Sequence, residues 1–339
     1  MNPMSRVGNF FSEGHMVFQR LQPIMTGVDA LSFHRILVTG SSGFIGTNLC
    51  QISRASGHEV TGVDIQPPKD DESINEFHQK DICDIDWQEL DLSRFDAIVH
   101  LAAKVSVPES MEDPEGYFQV NVTGTERLFK AGVDAGVKKI IFASSAACYG
   151  DSAAPVKSIG EEGPLSSPYA ENKRDGEHLA ERYGCKEANF ISFRFFNVFG
   201  TGQSPHSAYA SVIPLFIHPA IGGEDLVIHG DGSQTRDFVH VNDLSNTILQ
   251  SISIPTPPSM VMNIGTGRGV SIAYLAECVI NSVRNNGIET PSIVRLGPTR
   301  EGDILHSTAD INGIEKFSNP EEFITLEDGL DVLVPTMVD

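Results

Sequence analysis

The segment RILVTGSSGFIGTNLCQISRASGHEVTGVDI, residues 35–65, constrains the fold more than any other. Ile36 to Val38 is a short apolar run that reads as a buried strand. Gly40, Gly43 and Gly46 then precede a helical pattern through Leu49 and Ile52. A turn at Gly57 leads to a second strand, Val60 to Val63, which ends at Asp64. The order is strand, glycine loop, helix, strand, acid. Glycines let the backbone turn tightly and approach a pyrophosphate, and a helix N-terminus offers free N–H groups and the positive end of its dipole to that anion. Asp64 lies eighteen residues after Gly46, where its carboxylate can accept hydrogen bonds from ribose hydroxyls. The segment therefore predicts a dinucleotide site. A carboxylate at Asp64 repels a 2′-phosphate, so NAD is expected rather than NADP.

Strand-like runs recur at Ala97 to Leu101, Lys139 to Ala143 and Phe190 to Arg194, with helical stretches between them. This alternation predicts an α/β chain built on a doubly wound parallel sheet of Rossmann type. Ligands in such sheets sit beyond the C-terminal ends of the strands. Ala102, Ala103, Ser144, Ser145 and Asn197 all fall there. The stretch SSPYAENKRDGEHLAERY, residues 166–183, reads as a helix capped by Ser167 with Pro168 in its first turn. It puts Tyr169 and Lys173 on one face. An ammonium beside a phenol favours the phenolate, so the pair could act as a base, although the same spacing also suits a solvated helix face.

The 339-residue chain carries a net charge of −21. Such a surface argues against nucleic-acid and anionic-membrane partners, and leaves any phosphate site to a few placed arginines and backbone amides. Five scattered cysteines without metal-ligand spacing suit a reducing cytoplasm, and no metal is expected. No apolar run approaches the ~20 residues needed to span a bilayer. Residues 1–33 are irregular and make a poor signal peptide; they read either as a flexible extension or as a stretch upstream of a natural start at Met16 or Met25.

The motifs VTGSSGFIG, VDI, HLAA, NVTGTERL, FASSAACYG, YAENK, RFFNVFG, GDGSQTRDFVHVNDL, NIGTG and REGD run from about Ile36 to Asp303. In that order they resemble the extended short-chain dehydrogenase/reductase superfamily, in its NAD-dependent sugar-nucleotide epimerase/dehydratase branch, and within it the 4-epimerases of UDP-glucose and UDP-N-acetylglucosamine. The resemblance implies that Tyr169 is the catalytic base, Lys173 its helper and Ser145 the third member. It implies an NAD shell of Gly40, Ser42, Gly43, Phe44, Ile45, Gly46, Asp64, Asp81, Ile82, Leu101, Ala102, Ala103, Asn121, Ser144, Tyr169, Lys173 and Phe196. Lys104 joins them, standing where glutamine is often seen. A nucleotide-sugar site of Ser106, Ser145, Tyr169, Asn197, Val212, Arg236, Arg300, Asp303 and Ser307 is implied as well. Two arginines late in so anionic a chain suit a pyrophosphate.

The branch holds dehydratases and epimerases. Its 4,6-dehydratases carry an acid and a base after the catalytic hydroxyl, and here Ser145 is followed by Ala146 and Ala147. The expected activity is therefore 4-epimerisation of a UDP-sugar through a transient 4-keto intermediate. The alternatives are a UDP-glucuronate 4-epimerase, another NAD-dependent sugar-nucleotide dehydrogenase or dehydratase, and a non-catalytic NAD-binding regulator. In the epimerases the position seven residues after the uridine-binding arginine lines the pocket near the sugar C2 substituent. Here it is Ser307, small enough to admit an N-acetyl group. Two domains are expected: an NAD-binding one of residues 34–197 plus 236–265, and a smaller, discontinuous α/β nucleotide-sugar domain of 198–235 plus 266–339. GTGRG at Gly265 to Gly269 reads as the turn before a helix opened by Ser271, rather than a second phosphate loop. The resemblance further implies a homodimer paired through the helices that carry Asn121 and Tyr169, and the cysteine pattern makes a cytoplasmic location the expectation.

Overall fold

The computed structural model describes residues 32–185, 187–203, 211–299 and 304–338. Strand β1 (Arg35–Thr39) runs through the glycine loop into helix α1 (Phe44–Ala55), which returns to β2 (Glu59–Asp64). Then come β3 (Glu76–Gln79), β4 (Ala97–His100), α2 (Val107–Glu112) and α3 (Pro114–Phe118). A widened, π-helical stretch, Gln119–Gly124, leads into α4 (Thr125–Asp134). Strand β5 (Lys139–Ser145), the two-residue β6 (Val156–Lys157), α5 (Pro168–Tyr183) and β7 (Asn189–Phe195) follow. With β12 (Ser259–Ile264), strands β1 to β5 and β7 form a seven-stranded sheet in the order β12-β7-β5-β4-β1-β2-β3. Every pairing in it is parallel.

The central strands carry apolar runs, such as Ile36–Val38 in β1 and Ile140–Ala143 in β5, because both faces of the sheet are covered there, while the edge strand β3 is mostly polar and part-exposed. Alternate residues of β1 go to opposite faces: Ile36 and Val38 join one core, with Leu49 of α1, and Leu37 joins the other, with Leu128 and Phe129 of α4. Trp87, the single tryptophan, packs in the second core. The switch point, where the strand order reverses between β1 and β4, opens the cleft that matters for function.

The remaining elements are β8 (Asn197–Phe199), α6 (Val212–Ile221), β9 (Leu226–His229), β10 (Thr235–Arg236), β11 (Phe238–His240), α7 (Val241–Ser253), β13 (Val270–Ser271), α8 (Ile272–Asn285), β14 (Val294–Gly297), β15 (His306–Ala309) and α9 (Leu326–Leu333). Helix α7 lays Leu244, Ile248 and Ile252 on the large sheet. Helices α6, α8 and α9 enclose a third core around Ile217, Leu275, Val279 and Leu330. A four-stranded sheet, β13-β10-β15-β6, lies beside it. Its strand β6 comes from within residues 34–197, so the smaller sheet borrows a piece of the segment expected to serve the larger one.

The loop after β12 is a turn, as its sequence suggests. Thr266 N and Gly267 N both donate to the buried Asp237 carboxylate, so these amides are not available to a phosphate. Ser271 caps α8 by accepting from Tyr274 N.

Candidate active site

The cleft at the switch point encloses about 640 Å³, within the range of small-molecule and cofactor sites. One end is the glycine loop. Gly40 has φ +71°, and a Cβ there would lie 2.6 Å from Ala102 N, so this turn and the end of β4 touch through bare backbone. A Cβ on Gly46 would fall 2.0 Å from Gly40 O. Glycine at these positions is what lets α1 begin directly against the turn. The first turn of α1 has neither a side-chain cap nor an acid, so its amides are left for an anion. Asp64 stands at the far end of β2, its carboxylate accepting from Ser42 N and Gln66 N at 2.9 Å each. Each oxygen keeps a lone pair for a hydroxyl.

Of the residues expected to hold the cofactor, all but Asn121 line this cleft. Asn121 is buried in the π-helical turn, accepts from Lys104 N at 2.8 Å and donates to Lys104 O at 2.9 Å. It pins the loop after β4 from behind. The Lys104 side chain swings out to Asp113, at 2.9 Å. Sequence reasoning missed Ile65, Gln66 and Val120 in the wall; Ile65 ends the VDI run and Val120 sits in the π-helical turn, but neither they nor Gln66 carries a signature of ligand contact.

The other end holds the reactive group. Ser167 caps α5 by accepting from Ala170 N, with Pro168 in the first turn. Tyr169 and Lys173 thus face β5, both largely buried. Ser145 stands next to the Tyr169 hydroxyl and pulls its pKa down, and its own Oγ accepts from Ala147 N at 3.1 Å. Lys173 Nζ donates to Ala143 O at 2.7 Å. Burial pushes the Tyr169 phenol up to about 12, outweighing the pull of Ser145. It also lowers Lys173 to about 8. The spacing predicts a phenol lowered by its lysine. In the structure desolvation dominates, because Lys173 spends its ammonium on a backbone carbonyl and lies 5.9 Å from the centre of the Tyr169 ring. Ser144 reaches the cleft wall, but its hydroxyl donates to Glu177 at 2.5 Å.

Among the described residues expected to hold the sugar nucleotide, Ser145 and Tyr169 line this cleft and Ser106, Asn197, Val212, Arg236 and Ser307 do not. Arg236 and Ser307 are register partners in the parallel pair β10–β15. Asn197 pairs with Phe238, and its amide donates to Asp237 O at 2.9 Å. The small strands thus gather Asn197, Arg236 and Ser307 into one neighbourhood. Val212 opens α6. Ser106 caps α2 by accepting from Glu109 N. Arg300 and Asp303 lie outside the described residues.

A parallel sheet in this strand order, a glycine loop under a bare helix N-terminus and a buried Tyr-Lys pair define a small set of proteins. The model of the NAD dependent epimerase/dehydratase family matches residues 36–265. The chain belongs to that family. NAD is its cofactor, and the glycine loop, the uncapped α1 and Asp64 are shaped to hold it. Among relatives in this epimerase/dehydratase family is a UDP-glucose 4-epimerase of Mycolicibacterium smegmatis, 33% identical over 310 residues that cover 87% of this chain and 96% of that one. A UDP-N-acetylglucosamine 4-epimerase from Methanobrevibacter ruminantium, solved with UDP-N-acetylmuramic acid, is 32% identical with a TM-score of 0.81, covering 90% of this chain and 98% of its own. MoeE5, solved with UDP-glucuronic acid and NAD, is 31% identical with a TM-score of 0.77, covering 89% and 98%. No helix among the described residues is long and apolar enough to cross a membrane.

Proposed function

We propose that the protein is a UDP-sugar 4-epimerase that works through a transient 4-keto sugar. The observation that carries this reading is the arrangement at the end of β5: Ser145, Tyr169 and Lys173 converge on the cleft, and the two residues after Ser145 are alanines. Alanine has no group to remove water from a sugar ring, so the chemistry open to this site is confined to the carbinol that Tyr169 reaches. NAD, when bound, accepts and returns a hydride and sets a cationic ring near the tyrosine, which favours the phenolate. Tyr169 Oη takes the proton of the sugar 4-hydroxyl and gives it back after C4 has inverted. Ser145 holds that oxygen in place. Lys173, anchored on Ala143 O, keeps a positive charge beneath the tyrosine. Arg236 suits the pyrophosphate, and Arg300 and Asp303 are assigned to the nucleotide from the family pattern.

The small Ser307 beside Arg236 supports a pocket that accepts N-acetyl sugars as well as plain hexoses. The family pattern also supports pairing of two copies through the helices that carry Asn121 and Tyr169; Met111 and Phe118, exposed on the helices leading into Asn121, suit a covered face. The test is a panel of UDP-glucose, UDP-N-acetylglucosamine and UDP-glucuronate with product analysis, on wild type and Tyr169→Phe. Wild type is expected to give the C4 epimer without net NADH. The phenylalanine variant should lose ~10²–10⁴ in rate and keep its NAD. Stoichiometric NADH release, or a Tyr169→Phe enzyme near wild-type rate, overturns the proposal.

A further inference from the structure

Tyr169, Lys173 and Glu177 are spaced by one turn on the buried face of α5. They contact three successive residues at the end of β5. Tyr169 lies next to Ser145, Lys173 donates to Ala143 O, and Glu177 Oε1 accepts from Ser144 Oγ. The last of these lies outside the reacting set, and its construction is elaborate. Arg194, on the neighbouring strand and the register partner of Ser144, holds both Glu177 oxygens, with Nε at 2.8 Å and Nη2 at 2.7 Å. Its remaining Nη1 donates to Glu162 at 2.6 Å. Arg174 completes the group from α5 itself, 3.5 Å from Glu177. Arg194 is 2% exposed and Glu177 5%. An arginine and a carboxylate are thus sealed beneath the reactive end of the helix, with the half-buried Arg174 and Glu162 at their rim. Burying such a group is costly in desolvation, and its best-attested use is to fix register.

We propose that Glu177 and Ser144 are positioning residues, a clasp that locks α5 to the end of β5 in the one register that presents Ser145 to Tyr169. The ion pair with Arg194 leaves Glu177 a fixed acceptor, and Ser144 is tied to it. Because Ser144 precedes Ser145 directly, a slip of the strand end carries Ser145 away from the Tyr169 hydroxyl. Burial raises the phenol most, Ser145 pulls it down, and the nearby Cys148 and Tyr117 push it up. The role rests on the reading of Tyr169 as the base.

Glu177→Gln strips the charge partner from a buried arginine and can fail to fold. Ser144→Ala leaves the ion pair intact and carries the test. In the NAD-loaded enzyme, the acid limb of kcat is expected to move up by about half a pH unit, so the rate on that limb falls about threefold. With NAD saturating, the deficit should shrink as pH rises toward the alkaline plateau, and the melting temperature should stay at the wild-type value. A purely structural role gives a lower melting temperature, or a rate lowered equally at every pH, and either overturns the clasp. Tyr169→Phe is run beside it. If that variant is inactive and the Ser144→Ala limb stays put, the positioning role alone is refuted. If Tyr169→Phe is active, the base reading fails and the clasp fails with it.

Discussion

Replacing Gly46 by alanine should separate cofactor binding from folding. The added Cβ would sit 2.0 Å from Gly40 O and 2.8 Å from Ser41 Cα, both backbone atoms without a rotamer to yield. Relaxing such a contact to roughly 3.5 Å requires α1 to retreat by ~1.5 Å from the glycine turn. Hydrogen bonds of about 2.9 Å from the first-turn amides to a pyrophosphate do not survive that movement. Overpacking of this kind costs about 1–3 kcal/mol, which corresponds to roughly 5- to 150-fold in the dissociation constant for NAD. Gly43→Ala is the graded control: its Cβ would meet Gly40 O at 3.3 Å, a gap closed by a small shift. Gly57→Ala is the distant control, with φ +87° and no atom within 4 Å. It should lower the melting temperature through left-handed strain of about 1–2 kcal/mol and leave NAD affinity alone. The assay is calorimetric titration with NAD beside thermal melting of the three variants. A Gly46→Ala protein that binds NAD within about twofold of wild type, or no better and no worse than Gly43→Ala, refutes the close-approach reasoning.

Ser307→Tyr should remove turnover of N-acetylated UDP-sugars by a factor of about ten to a hundred while sparing plain hexoses; paired kinetic runs on both substrate types check it, and equal losses count against the pocket assignment. Asp243 is a stability probe. Burial raises its carboxyl to about 7, against the lowering effect of Ile324 N, which donates to it at 2.9 Å. Between the ordinary value of 3.8 and about 7 the folded chain holds a proton that the unfolded chain has lost, so stability falls as pH rises through that window. Asp243→Asn should flatten this fall, measured as urea midpoints at pH ~5 and ~8.

The parts of the site that depend on neighbouring residues in the chain were legible. The glycine loop, the strand before it and the capped helix at Pro168–Tyr183 each follow from local pattern, and the structure has them within a residue or two. What escaped depends on partners far along the chain. Asn121 sits within a motif, yet its contacts are to the backbone of Lys104, which no spacing reveals. The Ser144 hydroxyl belongs to Glu177 because β7 delivers Arg194 beside it. The state of Tyr169 is a balance between desolvation and the pull of Ser145, and the burial of the fold decides it. Strand β6 is two residues long, too short to carry a period of two.

The strand order has a further consequence for how the protein comes into being. Strands β1 to β5 and β7 are drawn from one continuous stretch, but β7 gains its outer neighbour only when Ser259–Ile264 arrives. The small sheet waits longer still, since β15 must reach back to Val156 and Lys157. On the ribosome, the NAD side of the cleft can therefore assemble while β7 remains an open edge, and the wall beside Arg236 and Ser307 closes last. Pairings between such distant segments form slowly, and an open apolar edge is the feature through which nascent chains associate. Early occupation of the glycine loop by NAD would hold the first half of the sheet in shape during that wait.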